Sequence, residues 1–303
     1  MSDERGQDDG VPDADDRRFA EARPRLVGIA YRLLGTTVDA EDVVQEAWIR
    51  WRDTDRSVVR NADAFLTTVV TRLALDRLRR RKREEDRYVG PWLPSPLVEP
   101  DPADTAELAD SMTTAFLLML ERLTPDERAA FLLSDVFDEP YHVVADVMER
   151  SEEACRQLSS RARRKLRDDH RERARGGRAA RDVVDRFLVA IASGDEAGAL
   201  ACVSADAVLV SDGGANRRAA RRPVVGPDRI VRLVANLWGR LPRTWRVEVA
   251  LVGGVPGVLV HDAHDELFLA MGFEVRDGTI DRVFNVLNPD KLAGATTLGR
   301  SIV

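Results

Sequence analysis

Three modules are expected from this chain, two small and all-helical and one α+β, and three observations lead there. Apolar residues recur at helical spacing across residues 17–170. A proline-dense stretch interrupts them midway. Beyond residue 179 the pattern turns to short strand-like runs closed by a hairpin signal. With 303 residues and 44% hydrophobic content, there is apolar material for more than one core.

Charge is segregated. Residues 1–16 carry seven acidic residues and one basic, which accounts for the whole net charge of −6. That tail lacks apolar periodicity and is expected to be disordered. Cys155 and Cys202 fall at apolar positions of predicted helices, which excludes a disulfide framework and fits a reduced, cytoplasmic setting. The acidic N-terminus does not read as a signal peptide, and no apolar run approaches the roughly 18–20 residues of a membrane helix, so no membrane partner is expected.

Residues 151–167 read as a helix built to lie on DNA. Ser151 is a good N-cap, and Glu152 and Glu153 suit the positive helix start. Cys155, Leu158, Ala162 and Leu166 share one narrow stripe, with Arg156, Ser160, Arg163, Arg164 and Arg167 opposite. Upstream, Tyr141, Val143, Val144, Ala145, Val147 and Met148 form a short helix, and Glu149-Arg150 turns into Ser151. This is a helix-turn-helix whose second helix would enter the major groove. A helical hairpin with a solvated basic face gives the same pattern, but a second basic helix upstream favours nucleic acid.

That helix belongs to the first module, residues 17–88. A helix over 19–34, with Leu26, Ile29, Ala30, Leu33 and Leu34 in register, stops at Gly35. A second opens at residues 39–42 and carries Val44, Ala47, Trp48 and Trp51 on one face, with Asp42, Gln45, Glu46 and Ile49 on the other. That acidic face is either solvated or a protein contact. A third helix starts near Asn61-Ala62-Asp63 and ends in Arg77-Leu78-Arg79-Arg80-Arg81-Lys82-Arg83. Six cations in seven residues cover every face, so phosphates or open solvent are expected around them.

The linker, 89–107, holds Pro91, Pro94, Pro96, Pro100 and Pro102, which favours an extended connector, with the apolar Trp92 and Leu93 inside it. The second module, 108–170, begins with a helix over 108–123. Thr124-Pro125-Asp126-Glu127 caps the next one, and Ala129, Phe131, Leu132, Leu133, Val136 and Phe137 supply its core.

Four motifs in order then carry a resemblance: residues 39–48 (Asp-Ala-Glu-Asp-Val-Val-Gln-Glu-Ala-Trp), Ala64-Phe65-Leu66 leading to Leu75-Asp76-Arg77-Leu78-Arg79, residues 123–128 (Leu-Thr-Pro-Asp-Glu-Arg), and the terminal helix-turn-helix. Together they resemble regions 2 and 4 of bacterial extracytoplasmic-function RNA polymerase sigma factors, over about residues 17–170. The resemblance implies two partners, core RNA polymerase and promoter DNA. Asp39, Asp42, Gln45, Glu46 and Ile49 would contact the polymerase clamp. The −10 element would be captured by Asn61, Asp63, Arg72, Arg77, Arg79, Arg80 and Arg81. The −35 element would be read by Arg156, Gln157, Ser160, Arg161, Arg163, Arg164 and Arg167. Arg72 stands where many members carry asparagine.

A basic hinge, 171–178, leads to the third module, 179–303. Helices are expected over 183–191, 197–203 and 228–238, and strands over 207–211, 246–252, 257–262, 267–275 and 280–287, the last two joined by Asp277-Gly278. Helices against a curved antiparallel sheet make an α+β cone with a pocket. The arrangement resembles SnoaL-like, NTF2-like domains, and the sigma-J-like subgroup of these sigma factors carries one at its C-terminus. That subgroup's Asn-Pro-Asp-Lys-Leu motif is complete in Asn288, Pro289, Asp290, Lys291 and Leu292. Its Asp-Gly-Gly-Gly-Lys motif is matched only by Asp212, Gly213 and Gly214, with Ala215-Asn216 after them. Both segments are expected to form a regulatory interface lying against region 2.

His261, His264, Asp281 and Asn285 could line the pocket, but no acid–base pair is fixed by spacing. No metal-ligand cluster, phosphate loop or nucleophile elbow is present, so no catalysis and no cofactor are expected. The leading reading is a monomeric promoter-specificity subunit whose C-terminal domain tunes it in cis, with an unknown small-molecule ligand for the pocket. The alternative is a DNA-binding regulator fused to a small-molecule-sensing or cyclase- or isomerase-like pocket domain that acts without polymerase. A free-standing regulator has no use for the acidic clamp face.

Overall fold

A computed structural model describes residues 14–55, 57, 59–84, 90–99, 114–167, 178–293 and 295. Most of the expected acidic tail and basic hinge, and residues 100–113 and 168–170, lie outside the described residues.

The first three helices form as their patterns require. α1 (Ala14–Leu34) ends at Gly35, whose φ of +73° is the left-handed turn a glycine adopts without strain. α2 (Thr37–Asp53) starts two residues before the expected Asp39 and buries Val43, Val44, Ala47 and Trp51. α3 (Ala62–Glu84) is capped by Asn61, whose Oδ1 accepts from the Asp63 and Ala64 N–H groups.

α4 (Thr114–Leu120) leads to α5 (Pro125–Phe131), which opens on a complete capping box between Thr124 and Glu127. A π-helical turn follows at Leu132–Val136, then α6 (Tyr141–Met148) and α7 (Glu152–Arg167). Between α6 and α7 the chain turns at Glu149, with φ +53°, and Ser151 Oγ caps α7 by accepting from Ala154 N–H. The helix-turn-helix is therefore where it was expected.

The two expected helical modules both form, and α1–α3 and α4–α7 bury their apolar faces in one continuous core, from Phe19 through Leu78 to Leu166. Arg128, 1% exposed, lies across the seam. Its Nε donates to the Arg32 carbonyl at 3.0 Å and its Nη1 to Glu121 at 2.5 Å. A guanidinium tolerates such burial because its rigid fork is satisfied in two directions at once.

The C-terminal part starts with α8 (Arg178–Ser193) and α9 (Glu196–Ala201). The short helix expected over 197–203 ends early, because Val203 already begins β2 (Val203–Asp212), which is longer than expected. β3 (Val224–Val225), α10 (Pro227–Gly239), β4 (Arg246–Val252), β5 (Val255–His261), β6 (Leu267–Arg276), β7 (Thr279–Val286) and the one-turn α11 (Pro289–Leu292) follow. The sheet is mixed rather than antiparallel, since β2 runs parallel to β7.

The linker also contributes a strand. β1 (Val98–Glu99) pairs with β4, so the order is β1-β4-β5-β6-β7-β2-β3. The connector is extended as its prolines require, yet it is built into the C-terminal sheet. That explains the near-continuous apolar runs of β5 and β6. One face packs on α8–α10 through Phe187, Phe273, Leu209 and Ile230, and the other on Leu93, Val98, Leu292 and Leu118 of α4.

Replacing Arg128 by methionine leaves the Arg32 carbonyl and the Glu121 carboxylate short of a donor. A loss of about 3 kcal/mol is expected, at the lower end for a broken buried pair because Glu121 keeps Arg81; urea unfolding of the two proteins measures it.

Candidate polymerase, DNA and regulatory surfaces

On α7 the expected stripe of Cys155, Leu158, Ala162 and Leu166 is buried, and both cysteines of the chain are free thiols. The opposite face divides in two. Arg163 donates to Asp135 at 2.5 Å and to the Tyr141 hydroxyl at 3.0 Å. Arg161 and Lys165 lie 3.6 and 2.7 Å from the buried Glu127. Burial pushes the Glu127 carboxyl up, but the Lys165 ammonium and Thr124 outweigh it and hold the group below the usual range. These cations therefore fasten α7 to its own module.

The rest forms an open strip: Arg156, Gln157, Ser160 and Arg164 are exposed at positions i, i+1, i+4 and i+8. Arg156 pairs with Glu152 at 2.6 Å and stacks on Tyr141, Gln157 is bonded to Glu153, and Arg164 has no ion pair among the described residues. The side chain of Arg167 lies outside the described residues.

The acidic face of α2 is open where expected, with Asp42, Gln45 and Ile49 exposed and Ile49 at 50%. Arg77 lies along it, 3.9, 3.4 and 3.8 Å from the carboxylates of Asp39, Asp42 and Glu46. Exposed pairs of this kind are worth about 0–1 kcal/mol, so they cover the face without locking it.

The cationic end of α3 departs from expectation. Phosphate or solvent was expected around all six cations, but most have protein partners. Arg79 bonds to Asp126 at 2.7 Å, Arg81 to the Leu34 carbonyl and to Glu121, and Lys82 to the Leu123 carbonyl at 3.2 Å. Arg80 stays exposed beside its own helix, and the Arg83 side chain lies outside the described residues. The physical reason is tertiary: the C-terminal carbonyls of α1 and of the α4 turn converge on this helix and attract cations. Arg72 behaves alike. It donates to the Val147 and Asp146 carbonyls of α6 at 3.0 and 2.7 Å, which ties region 2 to region 4, while Asn61 and Asp63 remain exposed at the start of α3.

The two C-terminal motifs meet in one buried cluster. Asp212, with no exposed surface, accepts from Gly214 N–H through Oδ1, and from Leu93 N–H and the Lys291 ammonium through Oδ2, at 3.0, 2.8 and 2.6 Å. Its carbonyl accepts from the Leu287 and Asn288 N–H groups. Gly214 has φ +58°, and a Cβ there would lie 2.7 Å from the Asn288 amide, so the position needs glycine. Asn288 caps α11 by accepting from Asp290 N–H, with Pro289 at the first helical position, which aims Lys291 inward and buries Leu292.

Burial pushes the Lys291 ammonium down to about 8 against the opposing pull of Asp212. It also donates to the Leu93 carbonyl and sits 4.2 Å over the Trp92 ring, whose ring also lies 4.7 Å from the Arg81 guanidinium. Direct contact of these motifs with region 2 was expected; they reach it through the linker. Trp92 fills the space beside Gly35, Ser95 N–H donates to the Gly35 carbonyl, and the Tyr31 hydroxyl donates to the Ser95 carbonyl. Trp92, Leu93, Ser95 and Tyr31 were missed as site residues, although two large apolar residues between prolines were the available signal.

The four pocket candidates are not brought together. His261 and Asp281 lie toward opposite ends of their strands, His264 is exposed in the turn after β5, Asp281 faces Arg276 and Arg282, and Asn285 bonds to Ser211. Among the described residues no cluster of three metal-ligating side chains occurs, and no helix is long and apolar enough to cross a membrane.

Residues 19–84 match the family model for Sigma-70 region 2, and residues 113–166 match that for Sigma-70, region 4. The ECF RNA polymerase sigma factor SigJ of Mycobacterium tuberculosis is 37% identical over 292 residues, covering 91% of this chain and 93% of that protein. This chain belongs to the extracytoplasmic-function sigma factors. SigI of the same organism is 32% identical over 281 residues, 89% of this chain and 92% of its own. The crystal structure of M. tuberculosis SigJ superposes on 92% of the sigma factor and 99% of its own chain, with a TM-score of 0.71 and 35% identity. The sigma factor thus acts in transcription with RNA polymerase and promoter DNA, through two helical regions followed by a sheet-containing C-terminal domain.

Asp212→Ala in this sigma factor strands the Lys291 amine and the Leu93 N–H together. A destabilisation of about 3–5 kcal/mol is expected in the unfolding of the C-terminal domain, whereas Asp290→Ala, on an exposed side chain, should cost under about 1 kcal/mol. Chemical denaturation of both variants checks the ranking.

Proposed function

We propose that the C-terminal domain holds regions 2 and 4 in a closed arrangement, and that promoter recognition requires this arrangement to open. The observation that carries the reading is the shared core, with Arg72 of α3 on the last carbonyls of α6. The −10 and −35 elements are about 25 base pairs apart, which at about 3.4 Å each is roughly 85 Å of duplex. Two regions packed on one core cannot reach both. In this reading Asp42, Gln45, Glu46 and Ile49 meet the polymerase clamp once Arg77 swings away. Arg156, Gln157, Ser160 and Arg164 read the −35 element, and Arg161 and Arg163 support them. Asn61, Asp63 and the α3 cations Arg72, Arg77, Arg79, Arg80 and Arg81 face the −10 element in the open state. The protein works through binding surfaces rather than chemistry.

The linker cluster is the fastening. Trp92→Ala removes the ring between Arg81 and Lys291 and is expected to raise core-dependent transcription from a cognate promoter several-fold while the helical content stays constant. Equal transcription by variant and parent would sink the cis-regulatory reading.

Asp42→Arg with Glu46→Arg should weaken capture by core polymerase at little cost to the fold, since exposed charge changes alter stability by about 0.5 kcal/mol or less. Undiminished capture would remove the clamp assignment. Arg156→Ala is expected to cost about 1–3 kcal/mol at one −35 position, and Arg164→Ala to weaken binding about equally across −35 variants. Equal losses on every −35 variant from Arg156→Ala would reassign it to the DNA backbone.

A further inference from the structure

Between α8–α10 and the sheet, where a cone of this kind would hold a ligand, the described residues are packed: Phe187 and Phe273 meet at 5.6 Å between ring centroids amid Val184, Leu209 and Ile230. A cavity of about 440 Å³ opens instead at the end of β2, between the C-terminal domain and the linker. Its floor is Ser211, which is 2% exposed. Behind Ser211, and equally buried, lies Asn285, whose Nδ2 donates to the serine Oγ at 3.3 Å while its Oδ1 has no partner among the described residues. Either orientation of the amide leaves one of its atoms unsatisfied, and a buried polar group in that condition is costly.

The wall is loop 213–221. Arg217 is fixed there, donating to the Phe268 carbonyl at 2.7 Å and stacking 4.0 Å over the Phe268 ring. Arg218 and Arg221 line the same opening, exposed and without an ion-pair partner among the described residues. Among the described residues no carboxylate lines the cavity; Ala215, Ala219 and Ala220 complete this wall, and Gly90 of the linker closes the far side.

Three guanidiniums around one opening, small apolar side chains between them and a hydroxyl at the bottom describe a seat for an oxyanion on a compact body. The volume is that of a small metabolite, and the guanidinium fork matches carboxylate and phosphate alike. We infer that this cavity binds a small organic anion, its carboxylate or phosphate held by Arg217, Arg218 and Arg221 and its body resting toward Ser211. The occupant touches Gly213 and Gly214 on one side and Gly90 on the other, so it bridges the domain and the linker. That it thereby favours the docked linker rests on the closed-arrangement reading above, whereas the binding itself does not.

The test is made on the full chain without polymerase, by calorimetric titration with three probes: mandelate, phenyl phosphate and inorganic phosphate. Saturable binding of mandelate or phenyl phosphate is expected, and whichever binds tighter tells carboxylate from phosphate. Arg218→Ala with Arg221→Ala should weaken it about tenfold or more, both residues being exposed and dispensable to the fold. Ser211→Ala should weaken it several-fold. Lack of saturation by both organic probes in the millimolar range, or affinity unchanged in the double variant, overturns the proposal. Inorganic phosphate binding as tightly as phenyl phosphate would overturn the recognition of an organic body. If neither organic probe binds and the double variant instead loses affinity for duplex DNA of unrelated sequence, the arginines serve the DNA backbone and the proposal falls.

Discussion

The Asp212 side chain ties the turn after β2, the linker and α11 to one another. One carboxylate oxygen fixes the turn at Gly214, and the other receives both the Leu93 N–H and the Lys291 ammonium. Its position at the end of β2 is set by the parallel pairing with β7. An isolated carboxylate could not be held without solvent at such a place; paired and fully hydrogen-bonded, it can. The linker path follows from it. Leu93 is fixed by Asp212 and Lys291, Trp92 is then held between Lys291 and Arg81, and Ser95 meets Gly35 and Tyr31. A single ion pair thereby sets how region 2 sits on the C-terminal domain.

A second regularity runs through the helical half. Arg72, Arg81, Lys82 and Arg128 each donate to a carbonyl at or just beyond the C-terminal end of another helix. Those carbonyls lack intrahelical donors and carry the negative end of the helix dipole, so a cation satisfies both needs. Cations that suggest nucleic acid when counted along the chain therefore also act as helix caps in three dimensions. The two roles are compatible if the regions separate, because opening exchanges carbonyl contacts for phosphate contacts of the same charge complementarity.

What the sequence disclosed follows from how local each signal is. The α7 stripe, the Ser151 cap, the Thr124 cap with Pro125 after it and the β6–β7 hairpin are encoded within a few residues, and each was legible. The order of motifs was enough to name regions 2 and 4. Features that depend on partners distant in sequence were not legible. The two residues of β1 have no periodicity, and Leu93 and Val98 gain meaning only when the second face of the sheet exists. The parallel β2–β7 pair, and the merging of two helical modules into one core, are likewise matters of topology rather than pattern. For the site, the exposed strip on α7 and the acidic face of α2 could be read from spacing. The attachment of Arg161, Arg163 and Lys165 to Glu127 and Asp135 could not, because those acids lie on a preceding element.

The strand that the linker adds to the sheet bears on solubility. β1 covers the edge of β4 at Leu251 and Val252, and the exposed Val249 lies next to them on the same edge. When the linker leaves, unpaired backbone groups and an apolar edge come free together, the condition under which sheets recruit strands from other molecules. The exposed Arg246 and the half-buried Glu248, both charged and at the other end of β4, blunt only part of that edge. On the opening proposed above, the opened sigma factor is therefore also the more self-associating one, and its open lifetime is bounded by how quickly polymerase captures it or the linker returns.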